Sequence, residues 1–313
     1  MVSLRQASAQ QDAGRYCLLV TAYRTGVWQA LSAYSIWGLF PLYWTLFHGI
    51  AALEVLAHRI VWSFVAVAVM LAVIDRVRVR ALLSLPWRTV VLYGAAASLI
   101  GVNWFLYVWG VNAGLVVQTS LGYFMTPLVN VVLGVVVFRE RLSAAQWLAV
   151  ALAAAGVVYL TVAYGVLPWL ALGLAVTFGG YGLTKKKAPM PAFDGLAVET
   201  ALLVPIATLY LGWLGWSGSA AFLRVSGATE ALLAASGLIT IVPLVLFASA
   251  VRLVPLSIIG LLQYISPTIQ LVLGLVVFRE PFTRAQLIGF GCVWGALVVF
   301  AVDGLRTRAR TAP

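Results

Sequence analysis

Charge is what this chain has least of. Asp, Glu, Lys and Arg make up 9% of its 313 residues and hydrophobic residues 63%, against about a quarter and about half in ordinary soluble domains. That excludes a water-soluble globule and describes a polytopic membrane protein. Acidic residues are scarcest, 9 against 20 basic. In a soluble chain the resulting charge of +11 would point to nucleic acid. Here the basic residues sit in short loops between apolar segments, where they report orientation instead. Cysteine and histidine are equally sparse: Cys17, Cys292, His48 and His58. No disulfide framework or metal cluster can be assembled from them, and both cysteines read as small apolar fillers. No G-x-x-x-x-G-K-[ST] loop, HExxH pair or nucleophile elbow occurs, so an ATP-driven pump and a membrane enzyme both lack their chemistry. No metal and no cofactor is expected.

What the chain has is apolar runs. Residues 1–25 are polar and mildly basic, and their apolar piece, Tyr16 to Tyr23, is too short for a signal peptide core, so they read as a cytoplasmic tail. Ten runs follow, near 28–47, 56–74, 90–111, 116–138, 144–163, 168–184, 196–216, 231–250, 256–278 and 284–302. Each is long enough to cross about 30 Å of hydrocarbon as a helix. The fold class expected is all-α integral membrane, with a basic cytoplasmic tail at 304–313.

One stretch occurs twice. Residues 127–146 read PLVNVVLGVVVFRERLSAAQ and residues 267–286 read PTIQLVLGLVVFREPFTRAQ. A period that holds several apolar runs is the duplication of a whole bundle, as in many secondary transporters. The repeats are 26–163 and 164–303. Five helices per repeat is an odd number, so the second repeat starts from the opposite side of the membrane and the halves are inverted. With the N-terminus inside, 16 of the 20 basic residues face the cytoplasm and only Arg59, Arg224, Arg279 and Arg284 lie outside. That bias places both termini in the cytoplasm of a cell-membrane protein.

Ser143 with Gln146, and Thr283 with Gln286, form S/T-x-x-Q capping boxes that start the fifth and tenth helices. Glu140 and Glu280, just before them, are elbow residues with a second reading as moving gate contacts. On the fourth helix Thr119, Tyr123, Thr126 and Asn130 share one face. The repeat carries the last three onto Gln263, Ser266 and Gln270. Polar groups in hydrocarbon face a bundle interior or a water-filled cavity, so the two stripes are candidate substrate contacts, with helix-to-helix glue as the plainer reading. Pro127 and Pro267 are expected to interrupt both helices near mid-membrane. Tyr34, Trp37, Asn103, Tyr107 and Tyr181 complete the candidate cavity. Gly291 and Gly295, and Ala151 with Ala155, have spacings that permit close contact within the chain or in a homodimer.

Ionisable residues within reach of the membrane are functional candidates. His58 and Arg59 lie near the outer start of the second helix, where a headgroup contact is the plainer reading. Glu199 lies near the inner start of the seventh and has two readings, carrier of a coupling proton or partner of the helix dipole.

The five-helix plan and the P-x5-LG-x-VVF-x-E elbows resemble the EamA family of the drug/metabolite transporter superfamily. AYSIWGLFPLYW, AHRIVWSF, GVNWFLYVWGVN, SLGYFMTPLVNVVLG, FGGYGLTKK, VETALLVPIA and LQYISPT resemble its RarD branch across nearly the whole chain. The resemblance implies ten helices, inverted repeats, an inner-membrane location and export of small solutes, with RarD-type members linked by name to chloramphenicol. The function expected is secondary transport of a small metabolite or drug-like solute by alternating access. A non-transporting receptor or scaffold is the alternative.

Overall fold

A computed structural model describes residues 2–47, 49–74, 82, 84–113, 115–165, 169–222, 224–279 and 283–311. Among the described residues every long element is helical. In chain order these are α1 (Val2–Trp44), α2 (Ala52–Ile74), α3 (Trp87–Asn112), α4 (Val116–Phe138), α5 (Ala144–Tyr164), α6 (Trp169–Lys187), α7 (Ala192–Trp216), α8 (Gly227–Leu253), α9 (Leu256–Gln263), α10 (Ile265–Val276) and α11 (Arg284–Thr311). Residues 2–25, expected as a separate tail, continue α1 without a break.

Among the described residues eight segments are long and apolar enough to cross a membrane: α2, α3, α4, α5, α7, α8, the α9–α10 pair and α11. The ten spans expected from the sequence are therefore not all visible by length and composition. α1 dilutes its apolar run with Gln29, Ser32, Ser35 and several aromatics, and α6 ends on Lys185, Lys186 and Lys187. Both nonetheless sit inside the bundle, α1 against α8 and α10, α6 against α3 and α4.

Ala52 and Ala192, Trp87 and Gly227, Val116 and Leu256, and Ala144 and Arg284 open helices at a constant spacing of 140 residues. Arg139 and Arg279 share that spacing and both adopt positive φ, 55° and 54°. Local chemistry accounts for the match. At α5, Ser143 accepts from the Gln146 amide while the Gln146 side chain accepts from Ser143; Thr283 and Gln286 make the same exchange at α11. Helix pairs follow the spacing as well. α1 packs on α8 as α6 packs on α3, and α4 on α6 as α10 on α1. α4 with α9, α2 with α7, and α5 with α11 bridge the two sets.

The two prolines act differently. α4 runs through Pro127 unbroken, with the Thr126 hydroxyl donating to the Gly122 carbonyl one turn earlier. The other helix breaks at Tyr264, next to Gln263, the residue four before Pro267 whose carbonyl the proline ring crowds. So only one of the two expected interruptions exists. α4 and α9 cross in backbone contact at Gly260, where a Cβ would lie 2.5 Å from the Pro127 carbonyl oxygen.

Of the two readings of the small residues, contact within the chain is not the one they make. Cβ atoms at Gly291 and Gly295 would meet nothing within 4 Å, and Ala151 and Ala155 are exposed. The close α5–α11 seam uses Gly156, Gly289, Ala149, Ala153, Val293 and Ala296 instead. Two small residues four apart fix a spacing; they do not fix which face turns inward.

Candidate functional site

Successive helices on short connections alternate in direction, so the C-terminal ends of α1 and α3 and the N-terminal ends of α2 and α4 lie at one end of the bundle. A cavity of about 150 Å³ opens among them, reaching α6, α8, α9 and α10. Tyr34, Trp37, Asn103, Tyr107, Tyr123, Thr126, Gln263, Ser266 and Gln270 all line it, with Pro267 beside them. Several are tied down. Asn103 Nδ2 donates to the Leu174 carbonyl and to Thr177 Oγ1, each at 2.9 Å, joining α3 to α6. Gln270 Nε2 donates to the Trp37 carbonyl at 3.3 Å. Tyr107 and Tyr123 pack ring to ring, 5.8 Å apart.

Asn130 and Tyr181 are not in the wall. Asn130 is fully buried behind it and donates through Nδ2 to Gln263 Oε1 at 2.9 Å, a bond between α4 and α9. Tyr181 belongs to the layer that closes the cavity's deep end. There Phe247 of α8 packs against Tyr34, Trp37, Phe178 and Tyr181, with ring centroids 5.3–6.2 Å apart. Below this floor the Tyr181 hydroxyl donates to Glu199 Oε2 at 3.1 Å, and Lys185 Nζ donates to Glu199 Oε1 at 2.6 Å. Lys185 is a buried ion-pair partner here, because α6 continues as helix through Lys187 and turns it onto α7.

Beyond that pair lies the elbow. The Glu140 carboxylate accepts from the Leu256 amide at 2.7 Å, and from the Ser257 amide and hydroxyl at 2.9 and 2.7 Å. It thus caps the N-terminus of α9, where the helix dipole favours an anion. Lys186 Nζ completes the contact at 3.1 Å and also donates to the Val254 carbonyl. Burial alone would push the Glu140 carboxyl up, but these donors and the lysine together outweigh it and hold it below its ordinary range. Glu280, its counterpart by spacing, lies outside the described residues.

The family model for EamA-like transporters matches residues 24–162, from within α1 to within α5. Protein RarD of Streptomyces exfoliatus is 46% identical over 289 residues, covering 92% of this chain and 91% of that protein. The uncharacterized transporter YojE of Bacillus subtilis is 43% identical, covering 90% and 95%, and protein RarD of Escherichia coli 38%, covering 92% and 98%. The chain belongs to the EamA family, in its RarD branch. A crystal structure at 17% identity superposes with a TM-score of 0.65 over 88% of this chain and 96% of that one, which shows the fold.

In this EamA chain the ionisable candidates separate by place. His58 is buried away from the cavity, its ring 4.7 Å from that of Phe222, near Glu54. Arg59 lines the cavity itself, which the sequence reading put second to a headgroup contact. Phe40, Trp44 and Trp104 were not singled out as site residues either, yet they form its aromatic wall. Position near a helix end looks the same in sequence for an interface anchor and for a cavity lining. What could have singled out Trp44 and Trp104 is the lone arginine that they flank.

Proposed function

We propose that this protein is a secondary transporter that exports a small metabolite or drug-like solute across the cell membrane by alternating access. The cavity is the solute site. The chain is two inverted repeats of five spans, 26–163 and 164–303, with α1 and α6 as the spans of lowest hydropathy and both termini in the cytoplasm. The constant 140-residue spacing and the matched helix pairs support the repeat, and the 16 to 4 basic bias supports the orientation. The observation that carries the reading is the cavity's construction. Both repeats line it, and its deep end is shut by the aromatic floor, the Lys185–Glu199 pair and the Glu140 cap, all contacts between or behind the halves.

On this topology the described conformation faces outward, and the inner end is the closed gate. Glu140 then acts as a gate contact as well as an elbow. Glu199 remains the candidate carrier of a coupling proton, now with Lys185 as the group that would hold it charged.

Thiol accessibility tests the reading. In a background lacking Cys17 and Cys292, Tyr123→Cys and Gln270→Cys should react with an impermeant reagent added outside. Asn130→Cys and Val131→Cys should react slowly, being buried. Solute flux in proteoliposomes should accompany protection of the first two sites. Equal labelling at all four, or no flux for any solute that protects, would leave a membrane receptor as the better description.

A further inference from the structure

One charge in the cavity wall has no counter-charge. Arg59 Nε donates to Thr240 Oγ1 at 3.1 Å, and the guanidinium carbon lies 4.6 Å from the Trp44 ring centroid and 4.9 Å from that of Trp104. No carboxylate pairs with it among the described residues. Lys185 takes Glu199 and Lys186 takes Glu140. Glu54, on the same helix, accepts from the Ala221 and Phe222 amides at 2.7 and 3.2 Å. An unpaired cation at membrane depth is costly, and two indole faces offset only part of that cost. Because Nε is bound to Thr240 and the guanidinium carbon sits over two rings, the Nη groups are the ones left to meet a ligand. The hydroxyls of Tyr107 and Tyr123 line the same cavity.

We propose that Arg59 anchors the charged group of the solute, and that the solute is a small organic monoanion, a single carboxylate on an aromatic or branched apolar body. The proposal rests on the cavity being the transport site. The carboxylate follows from the planar fork, whose paired N–H groups match two oxygens. The single charge follows from balance. One arginine neutralises one negative charge, whereas a phosphate monoester carries about −1.5 to −2 at neutral pH and would leave an excess anion in the membrane. Size follows from volume, since a cavity near 150 Å³ accepts a solute about as large as one benzene ring. Trp37, Phe40 and Phe178 supply the surface for its body. The repeat adds a contrast: the position 140 residues on from Arg59 is Glu199, so the two halves present opposite charges at equivalent places.

The test compares benzoate, benzamide and phenyl phosphate at pH 7.5 on the purified full-length protein in lipid nanodiscs, read by tryptophan fluorescence and by thermal shift. Benzoate should bind at least about tenfold more tightly than benzamide, the scale of one charge-assisted hydrogen-bond pair. Arg59→Gln should erase that preference, and Arg59→Lys should keep its direction while weakening benzoate. Should Arg59→Gln fail to fold, Thr240→Val, which frees the fork from its orienting contact, should weaken benzoate more than benzamide. Equal binding of benzoate and benzamide to the wild type overturns the anchor, and tighter binding of phenyl phosphate overturns the monocarboxylate. Benzoate bound with the expected preference, but with no solute counterflow in proteoliposomes, overturns the transport reading and leaves the anion site standing.

Discussion

Glu140 holds three donors on α9 and a lysine on α6 while its own side chain is 12% exposed. Replacing it by Gln keeps the shape and removes the charge, which should cost about 1–3 kcal/mol for hydrogen bonds to an ionised group. A lowered Tm in nanodiscs would show this. The pH dependence has a definite sign. The folded-state pKa is depressed, so the stabilisation is complete above the unfolded carboxylate value of 4.5 and is lost as pH falls through the lower folded value. Wild-type Tm should therefore fall with acidification through that window more steeply than that of Glu140→Gln, and equal slopes would assign the pH dependence to other carboxylates. Glu199 calls for a paired design. Glu199→Gln alone strands Lys185 in a buried site and should cost about 3–5 kcal/mol, whereas Glu199→Gln with Lys185→Met should recover most of it. If the double variant still transports with an unchanged pH profile, the pair is structural and the proton travels elsewhere.

At the level of elements, backbone contact distinguishes glycines that sequence alone treats alike. Gly260→Val drives side-chain carbons into the Pro127 carbonyl and Asn130 and should destabilise by about 1–3 kcal/mol or more. Gly291→Val enters open space and should leave Tm within about 0.5 kcal/mol of equivalent stability. Thermal unfolding of the two variants side by side decides it. The same contrast explains what the sequence could disclose. The starts of α5 and α11 were readable because a capping box is local, four residues acting on one another. α4 matched its expected bounds of 116–138 because strong apolar patterning ends at a charged Arg-Glu. The break at Tyr264 was readable from Pro267, but the continuity of the helix through Pro127 at the equivalent place was not. Nor was the Lys185–Glu199 pair, which depends on how many turns α6 continues past its apolar run. Arg59 was misplaced for a similar reason: only the packing of α1 and α3 around it turns a residue near a helix end into a cavity wall.

For the whole molecule, the orientation argument predicts that reporters fused at both termini and at Lys187 will be active in the cytoplasm, and one inserted near Arg224 outside. An external C-terminus would remove the ten-span arrangement, whatever the cavity does. The Asn130–Gln263 bond across α4 and α9 has a further implication. Shifting each partner by one repeat turns that pair into Gln270 and Tyr123, and in this conformation those two are engaged elsewhere, with the Trp37 carbonyl and with the Tyr107 ring. On the proposed alternating access, exchange of the halves would release the Asn130–Gln263 clasp as Gln270 and Tyr123 come together in its place. On that reading the two resting shapes would differ through the unlike residues at matched positions. A bound solute would then reverse the balance through its unequal fit to the two shapes, since moving a population from 1:99 to 99:1 takes about 5.5 kcal/mol of differential affinity.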